Sequence, residues 1–512
     1  MSSEWSAGYV TDLNYTFGYY RELNPYLAQF ALLCAGFASP DFANACELGF
    51  GQGVSIAIHA AGSETKWAGT DFNPSQALHA QGLARNAGVD ADLCDQSFAE
   101  FCTRQDLPDF DFIGLHGIWS WISDENRAVI VDFIRRKLKV GGVVYMSYNS
   151  QPGWAAAAPL RHLMTELGAN LASPGAGSAA RVDGSLDFID KIFATEPGYL
   201  RTNPQIKERF EGLKKQNRSY LAHEYFNRDW HPMYVADVAR WLGPAKLTFA
   251  ASANLLDSVD AINLSSGQQA LLKEMSDPVL RETVRDYCVN QQFRRDLWIK
   301  GARRLTELEQ SEAIRNQRLL LVLPRASVPT SVSGPLGSAT LSEAIYKPLL
   351  DFMADHKVRN FREIEIGLKD SGLTFSQLTQ AIAILTGIGA VAIAQDASLV
   401  PKAKMKTDRL NQSLMERARS STDINFLVSP VTGIAVSVAR FQQLFCMALK
   451  QGRKTPEEWA EFVFQLLNAQ GQRLMKDGQV LENVDDNRAE LLRQAQEFTA
   501  EQKPLLKALE IL

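Results

Sequence analysis

Residues 43–54 read ANACELGFGQGV, a short apolar segment with an acid at position 47 and three glycines at alternate positions. An apolar strand followed by closely spaced glycines predicts a tight turn in which the backbone approaches a ligand. The helix predicted to follow would present free N–H groups at its first turn. This stretch therefore predicts a strand–turn–helix unit that binds a ligand.

The region around this turn alternates strand and helix as far as residue 149. Further strands are predicted at KWAGTDF, VDADLCD, DFDFIGLHG and VVYMSYN, with an amphipathic helix from Ser123 to Leu138 before the last of them. LTFAASAN (247–254) is predicted as a sixth strand and RLLLVLP (318–324) as the last strand of the same sheet. This order predicts an α/β fold with a Rossmann-like, mostly parallel sheet and helices on both faces.

The turn is predicted to bind S-adenosylmethionine rather than a dinucleotide. Its spacing is G-x-G-x-G, whereas the dinucleotide-binding pattern is G-x-G-x-x-G. A carboxylate at the strand end also suits a cationic amino group better than a phosphate. The residues of the turn expected to contact the cofactor are Glu47, Gly49, Gly51, Gln52 and Gly53.

A second acid and a short polar stretch follow the next two strands. Asp71 lies at the end of the second predicted strand, followed by Phe72, where a carboxylate commonly binds ribose hydroxyls. Helix capping would explain Asp71 equally well, and the glycines could form a plain turn. The stretch after the third strand is expected near the adenine, with Asp95 accepting from its amino group and Phe98 covering its ring; the residues are Asp95, Gln96, Ser97 and Phe98.

With these motifs in hand, the chain resembles class I methyltransferases that carry a methyltransferase regulatory domain. The motifs are CELGFGQG, TDFNP, DQSF, LHGIWSWIS and SYNSQPGW, and LAHEYFN (221–227) resembles the start of the regulatory domain. The bacterial protein-lysine methyltransferases belong to the same group. The resemblance implies an S-adenosylmethionine cofactor without a metal, and a protein or peptide substrate that is methylated on side chains, lysine first.

Candidate catalytic residues follow the fourth and fifth strands, because ligands of such sheets lie beyond the carboxyl ends of the strands. Aromatic walls would attract a sulfonium and a lysine head, and His116 or Tyr148 could guide a proton away. The candidates are His116, Trp119, Trp121, Tyr148, Asn149 and Trp154. Tyr15 and Tyr20 could close over the cofactor, which His116 is also expected to contact.

Structural roles are open for several of these residues. Trp119 and Trp121 could pack beneath the helix that starts at Ser123, and Trp154 could plug a turn. His223 and Glu224 are expected to hold the insertion to the core. HEYFNRDWH contains two histidines and two acids, but its spacing matches no standard zinc pattern.

The chain is expected to divide into four units. They are an aromatic segment with a helix (1–38), a class I methyltransferase domain (39–330), a small winged-helix-like domain (341–400) and a helical C-terminal domain (401–512). Within the second unit we expect a helical insertion at about 155–230 and a regulatory segment at about 221–301. Residues 325–340 are rich in Ser, Pro and Gly and predict a linker.

Composition limits the partners. The 512 residues carry a formal net charge of −5, and the third helix of the winged unit, SQLTQAIAILTGIG, has no Lys or Arg, which disfavours nucleic acid. The start of the chain lacks the features of a secretory signal, no apolar run is long enough to span a membrane, and six cysteines occur without a C-x-x-C pair. A cytoplasmic protein with reduced thiols is expected. A small-molecule methyltransferase and a catalytically silent S-adenosylmethionine-binding protein remain the alternatives.

Overall fold

The computed structural model describes residues 8–13, 15–171, 173 and 175–512. Residues 1–7, where no secretory signal is expected, fall outside that set, as do Ala172 and Pro174 in the stretch expected to be flexible. The first half of the fold contains α1 (Pro25–Cys34), β1 (Asn44–Leu48), α2 (Val54–Gly62), β2 (Lys66–Thr70), α3 (Pro74–Ala87), β3 (Asp92–Cys94), α4 (Phe98–Phe101), β4 (Phe110–Leu115), α5 (Asp124–Lys137) and β5 (Leu138–Asn149).

The middle of the chain is mostly helical, as predicted for residues 154–228. Its elements are α6 (Ala158–Asn170), α7 (Ser178–Phe193), α8 (Gly198–Thr202), α9 (Gln205–Lys214), α10 (Arg218–Tyr225), α11 (Val235–Leu242), β6 (Leu247–Ser252), α12 (Asp260–Asn263), α13 (Ser266–Lys273), α14 (Pro278–Val289), β7 (Phe293–Lys300) and α15 (Glu307–Arg315).

The last third, all of it described, adds four small sheets and further helices. They are β8 (Arg318–Leu321), β9 (Ser331–Gly334), β10 (Gly337–Thr340), α16 (Glu343–Met353), β11 (Arg359–Asn360), α17 (Phe361–Gly367), α18 (Phe375–Gly387), β12 (Val391–Ala394), α19 (Val400–Ala418), β13 (Phe426–Val428), β14 (Ala435–Ser437), α20 (Arg440–Lys450), α21 (Pro456–Ala469), β15 (Met475–Lys476), β16 (Gln479–Val480), α22 (Val484–Glu497) and α23 (Lys503–Ala508).

The main sheet has the order β3-β2-β1-β4-β5-β7-β6 within the described part of the chain. The first five strands are parallel, and β7 runs antiparallel between β5 and β6. Both faces of the sheet are buried. Alternate side chains of β5 point to opposite sides, so Val143 and Tyr145 join one apolar core and Val144 and Met146 join the other. The mostly parallel Rossmann-like sheet expected from the sequence is confirmed.

Local signals at the helix starts match the structure. The Asn24 side chain accepts hydrogen bonds from the N–H groups of Tyr26 and Leu27 and caps α1, whose first residue is Pro25. The Ser123 side chain likewise accepts from the Asn126 N–H and caps α5. Such caps satisfy N–H groups that have no partner inside the helix, so their positions can be found from sequence alone.

Four expectations about strands, linkers and helices differ from the structure. RLLLVLP does not extend the main sheet: β8 pairs antiparallel with β11 and β12 in a separate sheet. β7 lies in a region expected to be helical, because its run of charged residues is not typical of a buried strand. In the structure Arg294 pairs with Asp296 of the same strand and with Asp286 of the preceding helix α14. The expected linker 325–340 contains the β9–β10 hairpin, and the C-terminal part, expected to be helical, also contains two hairpins.

The division into four units stays a prediction. One apolar core joins α2 of the first half to α19–α22 and to β8 and β12, and a further core holds the helical insertion together. In the part of the chain that the structure describes, no helix is long and apolar enough to cross a membrane.

Candidate functional site

A cavity of about 230 Å³ lies beyond the carboxyl ends of β1, β2, β3 and β4. Its floor is formed by the loops that follow these strands, and its other walls come from the N-terminal segment and residues 223–229. In doubly wound sheets this edge is where ligands bind, because the loops and helix N-termini converge there.

The glycine turn forms one end of the cavity and takes a backbone conformation that side chains disfavour. Gly49, Gly51 and Gly53 have φ values of 76°, 56° and 73°. A Cβ at Gly53 would lie 2.2 Å from the Cβ of Ala80, so this glycine lets α2 pack closely on α3. A Cβ at Gly51 would meet nothing nearer than 3.9 Å, so the space beside Gly51 belongs to the cavity.

Glu47 lies beneath this turn as a buried carboxylate, 3% exposed. Burial, and then the nearby Asp71, raises the pKa of Glu47 to about 8. Its Oε2 atom has no hydrogen-bond partner among the described residues. An orphaned buried carboxylate oxygen that lines a cavity is costly unless a bound cation or donor completes it.

Asp71 connects the second strand to the glycine turn. Its carboxylate accepts hydrogen bonds from the N–H groups of Gly51 (2.9 Å) and Asn73 (3.0 Å). Asn73, rather than Asp71, caps α3 by accepting from the Ser75 N–H. Burial raises the pKa of Asp71 to about 6, although the two N–H donors lower it in part. Each oxygen of Asp71 accepts only one of these hydrogen bonds and keeps a lone pair that can accept from a hydroxyl donor in the cavity.

An aromatic layer covers the cavity from the N-terminal segment. The Tyr20 ring stacks on the His116 ring with centroids 3.7 Å apart, and Tyr15 and Tyr9 pack on His223 at 5.1 Å and 5.4 Å. Burial lowers the pKa of His116 to about 4, and its Nδ1 lies 2.8 Å from the Tyr145 hydroxyl. His116 is therefore uncharged at neutral pH.

Most of the residues expected to bind the cofactor line this cavity. Lining residues from that set and from the catalytic set are Tyr15, Tyr20, Glu47, Gly49, Gly51, Gln52, Asp71, Phe72, Gln96, Ser97, Phe98, His116 and Trp121. Gly53 acts through the packing of the turn instead. Asp95 is exposed outside the lining, because β3 ends at Cys94 and only the following residues turn inward; the adenine-binding role expected for Asp95 is not supported.

Trp119 and Tyr148, expected as pocket walls, lie away from the cavity. Trp119 is fully buried against Trp241, with ring centroids 6.2 Å apart, and beneath α5. The Tyr148 hydroxyl donates to the Asp296 carboxylate at 2.6 Å on the opposite face of the sheet from Tyr145. Alternation along β5 turns the Tyr148 ring into the core, and Trp119 takes the alternative left open for it, packing beneath α5.

Asn149 and Trp154 are also placed outside the lining. The Asn149 N–H donates to the Ser120 hydroxyl at 2.9 Å and holds the loop after β4 to the end of β5. Trp154 packs edge-on against Trp230 at 5.0 Å, and Trp230 in turn lies 6.4 Å from Trp121. Trp154 therefore supports the wall from behind rather than facing the cavity.

The main residues that sequence reasoning misplaced are His223 and Glu224 on α10. They line the cavity instead of only holding the insertion to the core. The His223 Nε2 atom lies 3.1 Å from the Leu13 carbonyl oxygen. The adjacent polar pair His223 and Glu224, near the end of α10, was the available signal in the sequence. Only the tertiary structure brings α10 to the ends of the strands.

The cavity fits S-adenosylmethionine by its donor and acceptor set. Glu47 offers an unpartnered oxygen to the amino group, Asp71 can accept from ribose hydroxyls, and the exposed backbone of Gly51 leaves room for close approach. Among the described residues there is no group of three or more His, Cys, Asp or Glu side chains placed to hold a metal ion.

Comparison with known proteins places the chain in a family. It is 40% identical over 512 residues to the uncharacterized protein sll1526 of Synechocystis, covering 99% of each chain. The chain belongs to the family of sll1526. The uncharacterized protein RP789 of Rickettsia prowazekii is 25% identical over 302 residues, 54% of this chain and 50% of that protein. Residues 217–300 match the model of the predicted methyltransferase regulatory domain.

Solved structures identify the fold of this family member. PKMT2 from Rickettsia typhi in complex with AdoHcy superposes with a TM-score of 0.68 at 16% identity, covering 94% of this chain and 98% of that one. A second PKMT2 structure gives the same TM-score and identity, over 96% and 99% of the two chains. The chain thus has the Rossmann-like class I methyltransferase fold that its motifs indicated, and residues 217–300 match the regulatory-domain model.

Proposed function

We propose that this protein uses S-adenosylmethionine to methylate protein side chains, with lysine as the acceptor. The observation that carries the proposal is the unpartnered carboxylate oxygen of Glu47 beneath the glycine turn, in one cavity with Asp71. A buried carboxylate in this position needs a cationic partner, and the amino group of S-adenosylmethionine provides one.

The residues of the cavity divide the binding work. Asp71 would accept from the ribose hydroxyls, and Gln96, Ser97 and Phe98 line the wall where the adenine is expected. Glu47 would bind the amino group. When bound, S-adenosylmethionine supplies a methyl group on a positively charged sulfur, which transfers by in-line displacement.

The remaining walls suit a reaction in which positive charge moves. The faces of Tyr15, Tyr20 and Trp121 line the cavity, and aromatic faces attract cations. His116 adds no opposing charge at neutral pH, because burial lowers its pKa to about 4. The chain would thereby hold a cationic methyl donor among aromatic rings, where positioning supplies much of the rate acceleration.

The choice of a protein acceptor rests on two supports. The motifs of residues 46–154 resemble those of the bacterial protein-lysine methyltransferases, and the fold covers nearly the whole of PKMT2, including the parts beyond the sheet. A small-molecule methyltransferase would need a closed site sized for one ligand, and a silent binding protein would have no path for an acceptor. These two alternatives become outcomes of the test below.

Calorimetric titration with S-adenosylmethionine tests the proposal. We expect saturable binding by the wild type and affinity lower by about tenfold or more in Asp71→Ala, because two charge-assisted hydrogen bonds to the ribose are lost. Asp41→Ala, which removes an exposed carboxylate outside the cavity, serves as the matched control and should bind normally. NAD should not bind.

Methyl transfer is then measured by mass spectrometry on lysine-containing peptides and on small amines. Methylated peptide lysines support the proposal. Transfer to small amines alone would favour the small-molecule alternative, and binding without transfer to any acceptor would favour a silent binding protein. Absence of S-adenosylmethionine binding by the wild type contradicts the proposed function.

A further inference from the structure

Glu224 is a carboxylate that the regulatory segment contributes to the wall of the cofactor cavity. It lies on α10, inside the matched residues 217–300, and reaches the cavity next to His223. Cofactor binding requires no third acid here, because Glu47 and Asp71 are already assigned to the amino group and the ribose in the proposed function. A role for Glu224 therefore has to come from another part of the reaction.

The surroundings of Glu224 leave its charge without a direct partner. Within the part of the chain that the structure describes, its carboxylate forms no hydrogen bond and no ion pair. Arg161 is the nearby cation, but its guanidinium donates to the Asn227 carbonyl at 2.7 Å and lies 4.6 Å from the Trp230 ring centroid. Arg161 is thus engaged elsewhere and moderates the field at Glu224 without pairing with it.

Glu224 and Glu47 line the same cavity from different elements, Glu224 from α10 and Glu47 from the end of β1. The pKa of Glu47 responds to burial and to Asp71, whereas the pKa of Glu224 responds to burial and to Arg161. The negative charge of Glu224 raises the pKa of Tyr9, Tyr15 and Tyr20 in the N-terminal segment. The neighbouring His223 packs on Tyr9 and Tyr15, so α10 adjoins the N-terminal segment. Tyr20 of that segment stacks on His116, in the loop after β4 where the acceptor is expected.

We propose that Glu224 binds the ammonium group of the acceptor and removes its proton, so that this site selects a primary amine. This inference rests on the proposed function, and it identifies both a base and the chemical class of the acceptor. A carboxylate that lines an aromatic cavity without a partner offers the charge-assisted hydrogen bond that an ammonium group needs.

The proton and electron balance is simple. Glu224 takes one proton from the ammonium group, which leaves a neutral amine with a free electron pair. That pair forms the new N–C bond to the methyl carbon as the S–C bond breaks, and the electrons of the broken bond return to sulfur as a neutral thioether. The methylated amine takes up the positive charge that the sulfonium loses, and the acquired proton stays on the Glu224 carboxyl until solvent removes it.

Other titratable groups of the cavity are poorer bases. His116 is stacked on Tyr20, and burial lowers its pKa to about 4. The His223 Nε2 atom is engaged with the Leu13 carbonyl oxygen, and burial lowers the pKa of this imidazole. Asp229 is paired with Arg228 at 3.3 Å. Burial raises the pKa of Glu224 to about 7, closest to the range in which a base works at neutral pH.

The charged and titratable groups that face Glu224 come from three elements. They are Tyr9, Tyr15 and Tyr20 of the N-terminal segment, Arg161 of α6, and His223, Tyr220 and Tyr225 of α10. Burial raises the pKa of each of these tyrosines. Asp71, with a pKa of about 6, and Glu47, with a pKa of about 8, also titrate near neutral pH. They would contact AdoHcy and sinefungin alike, so the ratio of the two affinities near pH 7 reports Glu224.

The test compares two ligands that differ only near the reacting atom. AdoHcy has a neutral thioether, and sinefungin has an amino-bearing carbon in place of the sulfur, so its cation occupies the region of the transferred group. We expect the wild type to prefer sinefungin over AdoHcy at pH 8 and to lose about tenfold of that preference in Glu224→Gln. AdoHcy affinity should change less than about twofold, since the variant keeps the Glu47 and Asp71 contacts.

Controls separate this inference from the proposed function. Glu208→Gln, an exposed change on α9 of the same insertion, should behave as the wild type, and Glu224→Asp should restore part of the preference. In the wild type the preference should fall as the pH drops through about 7, a measurement that needs no variant to fold. An unchanged preference in Glu224→Gln together with a flat wild-type profile would overturn the role of Glu224; failure of the wild type to bind AdoHcy at all would instead remove the proposed function.

Discussion

At the residue scale the cavity depends on buried carboxylates whose charge is unfavourable in the empty protein. Glu47 has no partner for one oxygen, and Asp71 is held by two backbone N–H groups. Their spacing in the sequence indicated binding, but not their electrostatic state, since burial and mutual repulsion raise the pKa of Glu47 to about 8. A bound cationic amino group would lower this cost.

The first prediction concerns the pH dependence of stability. The pKa of Glu47 in the folded protein, about 8, is above its ordinary value of 4.5, so the stabilising protonated form is fully present below pH 4.5 and is lost as pH rises through 8. Each unit of this shift corresponds to about 1.4 kcal/mol of unfolding free energy. Glu47→Gln should therefore lose less thermal stability than the wild type between pH 5 and pH 9, and should bind S-adenosylmethionine more weakly.

Thermal unfolding of both proteins without ligand, followed by circular dichroism at the two pH values, checks this prediction. Only the difference between the proteins matters, because other groups titrate in both. Equal losses of Tm would mean that the Glu47 carboxyl is not destabilised by burial in the folded protein.

At the element scale the same glycine turn has two separate functions. Gly53 allows α2 to pack on α3, and Gly51 leaves space for a ligand. The sequence shows three equivalent glycines, because their spacing says nothing about which neighbour each one meets. The structure distinguishes them through Ala80, which approaches only Gly53.

The second prediction compares alanine at these two positions. Gly53→Ala should lose about 2–4 kcal/mol of unfolding free energy, since the left-handed backbone is strained and the new methyl overlaps Ala80. Gly51→Ala should lose only the backbone cost of about 1–2 kcal/mol, yet lower S-adenosylmethionine affinity by about tenfold or more because its methyl enters the cavity. Urea unfolding and calorimetric titration measure the two effects. Equal stability losses with normal binding by Gly51→Ala would contradict this division.

Strand β7 was not predicted from the sequence, which favoured helix in this region. FRRDLWIK (293–300) has three consecutive charged residues, which argue against a strand in the middle of a sheet. In the structure Arg294 pairs with Asp296 at 2.9 Å, with Glu282 at 3.0 Å and with Asp286. The compensating acids include residues of α14, so the strand becomes acceptable only after that helix has packed.

At the scale of the whole molecule, the C-terminal part holds the N-terminal segment that covers the cavity. Arg417 of α19 lies 4.4 Å from the Phe17 ring centroid, and the Tyr19 hydroxyl accepts from the Ala435 N–H at 3.2 Å. Tyr15 and Tyr20, on either side of these anchored residues, line the cavity. The distant helices thus influence the cofactor site without touching it.

The third prediction tests this long-range support. Arg417→Ala should reduce S-adenosylmethionine affinity by about threefold to tenfold, because it removes the cation–π contact with Phe17 and the 3.2 Å contact with His79, which itself bonds the Gln52 carbonyl oxygen. Arg419→Ala, whose guanidinium pairs with Glu416 at 3.2 Å on the surface, is the matched control. Calorimetric titration of the three proteins, with circular dichroism to verify folding, decides the matter: wild-type affinity in Arg417→Ala would separate the C-terminal part from the site.

Local signals in the sequence were sufficient for the first five strands, the caps at Asn24 and Ser123, the glycine turn and most of the residues that line the cavity. They depend on residues close together in the chain: apolar periodicity, side chains that cap a nearby helix, and glycines between a strand and a helix. The resemblance to methyltransferases with a regulatory domain was carried by the same short motifs, and the fold and the matched residues 217–300 agree with it.

Tertiary structure alone decided which aromatic rings reach the cavity, which sheet receives β8, and that α10 contributes His223 and Glu224 to the site. Trp119 and Trp121 are two residues apart and equally aromatic, yet Trp119 is buried in the core while Trp121 lines the cavity. The physical reason is that these placements depend on contacts between residues far apart in the chain, such as the rings of Tyr15 and His223. No local pattern records such contacts, because they exist only once the chain has folded.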